Sequence, residues 1–331
     1  MELLSADAAG IARAARALAQ GRLVAIPTET VYGLGANAFD IEAVARVFEA
    51  KKRPTFDPLI VHIAEIGSLD EVAYFPGELA RRLAAACWPG PLTLVLPKRE
   101  RVPGLVTSGL DSVAVRMPAH PVAREIIRLS GVPVAAPSAN PFGYLSPTRA
   151  EHVVRMLGNE VDFVVDGGAC EIGVESTVLD VTGKVPRILR PGGLPRAAIE
   201  AVCGPVELAV GAPSRPESPG QLESHYAPRA RLRLVQAGAL ARSPVADADA
   251  LLFFDESSRR AFHEARTGSG HAGLERVLSS AGDLRQAAAA LFDALHDFDQ
   301  AGVTAIWAER VPAEGLGLAV NDRLWKASDK S

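Results

Sequence analysis

Along the first two-thirds of the chain, short apolar runs of β type alternate with stretches whose apolar residues recur at helical spacing. Ile11, Ala15 and Leu18 share a helix face that Gly21 closes, and residues 23–26 then read as a strand. Asp40 caps a helix carrying Val44, Val47 and Phe48. A strand over 59–63 precedes a helix opened by the capping box Ser68-x-x-Glu71 and another through Leu79 and Leu83. Strands over 92–96 and 113–117, a helix over 121–129, and a strand over 132–136 come next. A helix opened by Thr148-x-x-Glu151 and closed at Gly158 follows, and strands near Phe163, Val178 and Ile188 complete this part. The alternation predicts an α/β domain and leaves strand order and direction open.

Between 211 and 229 the pattern breaks into a stretch with Pro213, Pro216, Pro219 and Pro228 among Ser, Gly and charged residues, which marks a linker. Beyond it the logic repeats on a smaller scale. Strands are expected over 232–235, 251–254 and 303–307, and a helix turns Leu284, Ala288, Leu291, Leu295 and Phe298 inward between Asp283 as cap and Gly302 as stop. The boundaries are a first domain over 1–204, a linker over 205–229 and a small α/β domain over 230–331.

Composition narrows the function classes. A length of 331 residues suits about two domains, each able to bury a core without disulfides or metals. The net charge of −4 argues against a surface that grips nucleic acid by phosphate neutralisation alone, though not against a local basic pocket. Cys87, Cys170 and Cys203 contain no C-x-x-C pair, so neither a disulfide framework nor a thiolate zinc site is expected. No apolar run approaches the roughly 18 residues of a membrane span, and the first residues lack a secretion signal. A cytoplasmic protein is the expectation.

The familiar nucleotide and hydrolase motifs are missing: there is no G-x-x-x-x-G-K-[ST], Gly33-x-Gly35 stands alone, and Ser138 sits in Pro137-Ser138-Ala139-Asn140 rather than a G-x-S-x-G elbow. Instead, five polar clusters follow apolar strands, where α/β sheets carry their sites. The stretch Pro27-Thr28-Glu29-Thr30-Val31-Tyr32-Gly33-Leu34-Gly35 offers hydroxyls and backbone N–H groups, or is simply a turn. Lys51, Arg53, Asp57 and His62 form a second group that could clamp a polyphosphate, or complement a helix dipole. In Ser112-Val113-Ala114-Val115-Arg116-Met117, alternation puts Ser112, Ala114 and Arg116 on one strand face. An arginine there meets either a structural carboxylate or that of an amino-acid substrate. Ala136, Ser138, Asn140, Ser146 and Thr148 make a hydroxyl-rich helix entry suited to phosphate or to plain capping. Asp166-Gly167-Gly168, Glu175-Ser176-Thr177 and Arg190-Pro191-Gly192-Gly193 form the fifth. Together they describe one partly cationic cavity.

In this order and spacing the chain resembles the YrdC-like threonylcarbamoyl-adenylate synthase family in its long two-domain form. The resemblance runs from P-T-E-T-V-Y-G-L-G through K-x-R-P-x-x-D-P-L-I-V-H, W-P-G-P-L-T-L-V-L, S-V-A-V-R-M-P, P-S-A-N, S-P-T, G-V-E-S-T and I-L-R-P-G to a C-terminal motif over 315–324. It implies a twisted mixed sheet with helices around a cationic cavity, plus a smaller Rossmann-like domain. It also implies formation of threonylcarbamoyl-AMP and pyrophosphate from L-threonine, bicarbonate or CO2, and ATP with Mg2+. The product would pass to a complex that modifies tRNA to threonylcarbamoyladenosine. By motif position, Thr30, His62, Arg116, Ala136 and Ser176 are expected around threonine. Arg53, Asp57, Ser112, Ser138, Asn140, Ser146, Arg190 and Tyr226 are expected around ATP, with Lys51 and Arg53 catalytic and no metal ligand assigned. Asp57 stands where Asn is common in the family, and Gln221-Leu222-Glu223-Ser224 departs from the usual linker, so a linker lid over the cavity rests on His225 and Tyr226. Two other readings compete. Hydrogenase-maturation carbamoyltransferases with a YrdC-like module carry extra domains and zinc-finger cysteines. A non-catalytic RNA- or ribosome-binding module needs a basic stripe or stacking aromatics, whereas aromatic residues here are 5%.

Overall fold

The computed structural model describes residues 1–209, 211, 216–222, 225–266 and 271–328. They form two compact units. One comprises Met1–Phe142, Ser146–Glu171 and Glu175–Glu223, the other Gly143–Leu145, Ile172–Val174 and Ser224–Ser331. Two tripeptides from within the first expected domain, 1–204, are thus part of the second unit, a grouping that composition has no means of revealing. Of the segment 205–229 read as a linker, residues 207–208 are a strand of the first unit, and 210, 212–215, 223 and 224 lie outside the described residues.

In the first unit, strands β1 (Glu2–Ser5), β2 (Val24–Ile26), β3 (Gly33–Asn37), β4 (Ile60–His62), β5 (Leu92–Pro97), β6 (Ser112–Arg116), β7 (Val134–Ala135), β8 (Phe163–Asp166), β9 (Thr177–Asp180), β10 (Arg187–Arg190) and β11 (Glu207–Leu208) build one mixed sheet. Its order is β1-β8-β2-β3-β7-β4-β6-β5-β9-β10-β11. The helices are α1 (Ala8–Ala19), α2 (Ile41–Lys51), α3 (Glu78–Cys87), α4 (Pro121–Ser130), α5 (Ala150–Leu157) and α6 (Arg196–Cys203). Because side chains alternate along a strand, each strand feeds both faces. On one face Val61, Leu92, Leu94, Val113, Val115 and Met117 meet Val44 and Val47 of α2, Leu83 of α3, Val153 of α5 and Ile199 of α6. On the other, Leu18 of α1 and Ile126 of α4 pack with Leu4, Val24, Ile26, Val134 and Val165. Beyond that helix-covered part, Ile60, Val95, Ala114, Val178 and Leu189 form a separate small cluster of strand residues. The expected division of β6 holds, since Ala114 joins this small cluster while its odd-numbered neighbours enter the helix-covered core.

Both capping boxes fail, for tertiary reasons. Ser68 lies inside a 3-10 turn, Ile66–Glu71, with its N–H on Glu65 O, and α3 starts only at Glu78. Helix α5 has Arg149 at its N-cap with no side-chain capping bond to the helix, and the N–H of Thr148 bonds His152 Nδ1 at 3.3 Å. The chain entering α5 is already fixed by Tyr32 N–H on Pro147 O and Cys170 N–H on Thr148 O.

The second unit has a parallel sheet, β12 (Arg231–Val235), β13 (Ala250–Phe253), β14 (Glu275–Val277) and β15 (Ala305–Glu309), in the order β12-β15-β13-β14. Helices α7 (Glu256–Ala265), α8 (Leu284–Gln300) and α9 (Gly317–Ala327) complete it. Asp283 caps α8 by accepting from Arg285 and Gln286 N–H, and Gly302 follows that helix at φ +72. Gly173 packs so closely on α8 that a Cβ would stand 2.5 Å from Ala288 O. At the carboxyl end of β15, the buried Glu309 accepts from the N–H groups of Gly238 and Phe254, which follow β12 and β13. No helix among the described residues is long and apolar enough to cross a membrane.

Candidate active site

Strand pairing brings together several of the residues expected around threonine. In the parallel β4–β6 pair His62 stands beside Arg116, and in the antiparallel β5–β6 pair Thr93 stands beside Arg116. Alternation then places His62, Thr93 and Arg116 on the face of Ile60, Val95 and Ala114, on three neighbouring strands in the middle of the sheet. Arg116 is buried and donates from Nε to Gly90 O (3.2 Å), from Nη1 to Thr30 Oγ1 (2.8 Å) and from Nη2 to Glu29 Oε1 (2.6 Å). Three of the guanidinium's five N–H donors are so used, and two remain for a substrate. The two partners foreseen for this arginine are therefore compatible: Glu29 is the structural carboxylate, and a second carboxylate can still be met. Thr28 Oγ1 accepts from Thr30 and Val31 N–H, which folds the turn that presents Glu29 and Thr30. Burial, and next the charge of Arg116, push the His62 imidazole down to about 3, so it is neutral near pH 7. Ala136 lies one strand over, its N–H on Ile60 O at 2.9 Å.

Ser176 links this group to the phosphate-type residues. Its hydroxyl is 2.7 Å from Thr93 Oγ1 and 3.3 Å from Arg190 Nη2, and Arg190 also donates to Ser176 O at 2.9 Å. A bulge at Leu189 is what aims Arg190: the register jumps from Ile188 opposite Leu179 to Arg190 opposite Val178.

On the cationic side, Lys51 ends α2 fully buried, and its Nζ donates to Ser138 O at 2.6 Å and to Asn140 O. It thereby holds the Pro137–Asn140 loop. Burial, then the neighbouring Arg53, drive its ammonium well below the usual lysine range. Arg53 pairs with Asp57 Oδ2 at 2.8 Å and donates to Asp57 O and Pro58 O. Arg53 thus gives Asp57 an internal partner, but burial outweighs it and holds the Asp57 carboxyl above its usual range. Burial raises the Asp57 carboxyl, while Arg53, Lys51 and Arg190 pull it down, so these four groups share one electrostatic neighbourhood. Ser146 Oγ bonds Glu175 Oε1. Ser112 stands apart, at the opposite end of β6 from Arg116, in a cavity of about 330 Å³ shared with Asp111, Asp180 and Glu217. Tyr226 is in the second unit, at φ +63, with its ring 5.8 Å from Phe292 and under the Arg323 guanidinium.

Sequence reasoning missed Glu29 and Thr93. Glu29 was hidden in a stretch read for its hydroxyls and amides. Thr93 had a visible signal, a polar residue inside the apolar run Leu92–Leu96. Among the described residues no group of three or more His, Cys, Asp or Glu side chains is arranged to hold a metal ion.

A family model described as "Telomere recombination", covering Sua5, YciO and YrdC, matches residues 16–192. Another, described as "Threonylcarbamoyl-AMP synthase, C-terminal domain", matches 194–329. Threonylcarbamoyl-AMP synthase of Pyrococcus abyssi is 47% identical over 95% of this chain and 93% of its own, and that of Bacillus subtilis 44% identical over 98% and 94%. The crystal structure of P. abyssi Sua5 complexed with L-threonine superposes with a TM-score of 0.89 at 42% identity, covering 99% of this chain and 98% of that one. The chain belongs to the threonylcarbamoyl-AMP synthase family of nucleotidyltransferases, in its two-domain form.

Proposed function

We propose that this chain joins L-threonine, bicarbonate or CO2, and ATP into threonylcarbamoyl-AMP and pyrophosphate, the activated intermediate for threonylcarbamoyladenosine in tRNA. The bound threonine ammonium gives one proton to solvent, and the neutral amine so formed captures CO2 as a carbamate with release of a second proton to solvent. A carbamate oxygen then attacks the α-phosphorus while the bond to the pyrophosphate oxygen breaks. Both reacting partners are anionic, so fixed cations and hydrogen-bond donors supply the catalysis. Arg116, Thr30, His62, Ala136 and Ser176 are assigned to threonine. Arg53, Asp57, Ser138, Asn140, Ser146 and Arg190 are assigned to the nucleotide, and Lys51 and Arg53 to catalysis, Arg53 as a fixed cation and Lys51 by positioning the loop it holds. The three carboxylates beside Ser112 repel phosphate, so Ser112 is assigned to the nucleoside end. Tyr226 is assigned to the nucleotide by the family motif alone. The donor set does not form a metal cage, so Mg2+ is assigned to the ATP phosphates as part of the substrate. Release of the product to a tRNA-modifying transferase complex completes the reading.

The observation that carries it is the join at Ser176, whose hydroxyl reaches Thr93 beside Arg116 on one side and Arg190 on the other. This join supports a site in which an amino-acid carbamate and a phosphate meet. Pyrophosphate release by the purified chain from ATP and bicarbonate is expected to depend on L-threonine, and release at the same rate without threonine would sink the reading.

A further inference from the structure

Two buried acceptors on the amino-acid side have no hydrogen-bond partner among the described residues: Oε2 of Glu29 and Nδ1 of His62. Their residues are 6% and 3% exposed. A buried acceptor without a donor is costly and a charged one more so, and both flank the same arginine. Glu29 is ionised. Burial works against its charge, but the charge and hydrogen bond of Arg116, helped by the nearby amides of Ala119 and Glu29, hold the carboxyl below the usual range. His62 is neutral, so its ring can accept as well as donate. What satisfies an anionic oxygen and an imidazole nitrogen together is a small cation with several N–H donors. An ammonium fits that description. Arg116 keeps two donors for a carboxylate at the same place, and an ammonium one carbon from a carboxylate is an α-amino acid.

We propose that Oε2 of Glu29, with Nδ1 of His62, seats the ammonium of the amino-acid substrate while Arg116 takes its carboxylate, so that Glu29 makes the site select an α-amino acid over the matching 2-hydroxy acid. This rests on the threonine reading above. The test compares L-threonine with 2,3-dihydroxybutanoate, the same skeleton with hydroxyl in place of amine, by calorimetry on the full-length chain and on Glu29→Gln. The amide keeps an oxygen for Arg116 and removes the charge. Threonine affinity is expected to fall roughly 10- to 100-fold in Glu29→Gln, while the hydroxy acid changes by less than about threefold. An equal fall for both ligands means Glu29 acts only by holding Arg116, and an unchanged preference means solvent serves that oxygen; either overturns the proposal. Should Glu29→Gln not fold, Glu29→Asp retains the charge one methylene further back. It is expected to lose part of the preference, and full retention overturns the proposal. Wild-type protein that binds neither ligand and releases no pyrophosphate shows instead that the threonine reading has failed, and the inference falls with it.

Discussion

At the residue scale the site is organised by burial of charge. Arg116 with Glu29 and Arg53 with Asp57 are ion pairs almost out of water, an arrangement whose desolvation cost is only partly offset, since Glu29 Oε2 and Asp57 Oδ1 have no hydrogen-bond partner among the described residues. His62 shows the same pressure on a lone group. Its imidazole titrates near 3 when folded against about 6.5 when free, so below pH 6.5 the unfolded chain binds a proton that the folded chain refuses. Stability therefore falls as pH drops from about 6.5 toward 3, and the part due to His62 is about 2 kcal/mol at pH 5. Denaturant unfolding at pH 7 and pH 5 checks this: His62→Gln is expected to lose about that much less than wild type over the interval. An identical loss in both proteins would assign the acid sensitivity elsewhere. These residues were legible in sequence as types but not as partners. Lys51, Arg53, His62 and Arg116 stood out, yet Glu29 gained its meaning only when strand pairing brought Arg116 across 87 positions to it.

Elements turn those residues toward one another. Most helices and strands were readable because their apolar periods are strong, as in α2 and β5. Gly33–Asn37 was not: a glycine-rich strand has little local preference, and β3 exists because β2 and β7 pair with it. The bulge at Leu189 was equally invisible, since strict alternation would place Arg190 with Ile188 on the helix-covered face. Just past it, Gly192 lets the chain lie against Glu175 and Ser176, which lead into β9. A Cβ there would stand 2.3 Å from Glu175 O and 2.5 Å from Ser176 O, so Gly192→Ala has to push that backbone aside. The expected result is a loss of about 1–3 kcal/mol in stability and, because Ser176 shifts, a loss of at least about tenfold in threonine-dependent pyrophosphate release. Wild-type turnover in a folded Gly192→Ala variant would show that Ser176 needs no such exact placement.

For the whole molecule, the net charge of −4 says little about a site whose cations are buried in one unit. Composition exposed the two-part organisation, but the tripeptides 143–145 and 172–174 were beyond its reach, because only tertiary contacts such as Gly173 against α8 assign them. The second unit invites one more conclusion. Parallel α/β sheets bind ligand phosphates beyond the carboxyl ends of their strands, on backbone N–H groups. At that end of β12, β13 and β15, Glu309 brings a carboxylate of the chain's own to the amides of Gly238 and Phe254. The smaller sheet is thus self-liganded, with an internal anion in the seat an external one would need. A non-hydrolysable ATP analogue should accordingly saturate at one equivalent per chain in calorimetry, and a second equivalent abolished by substitution in the smaller unit would contradict it. Resemblance to a nucleotide-binding architecture is here, among the described residues, a matter of scaffold.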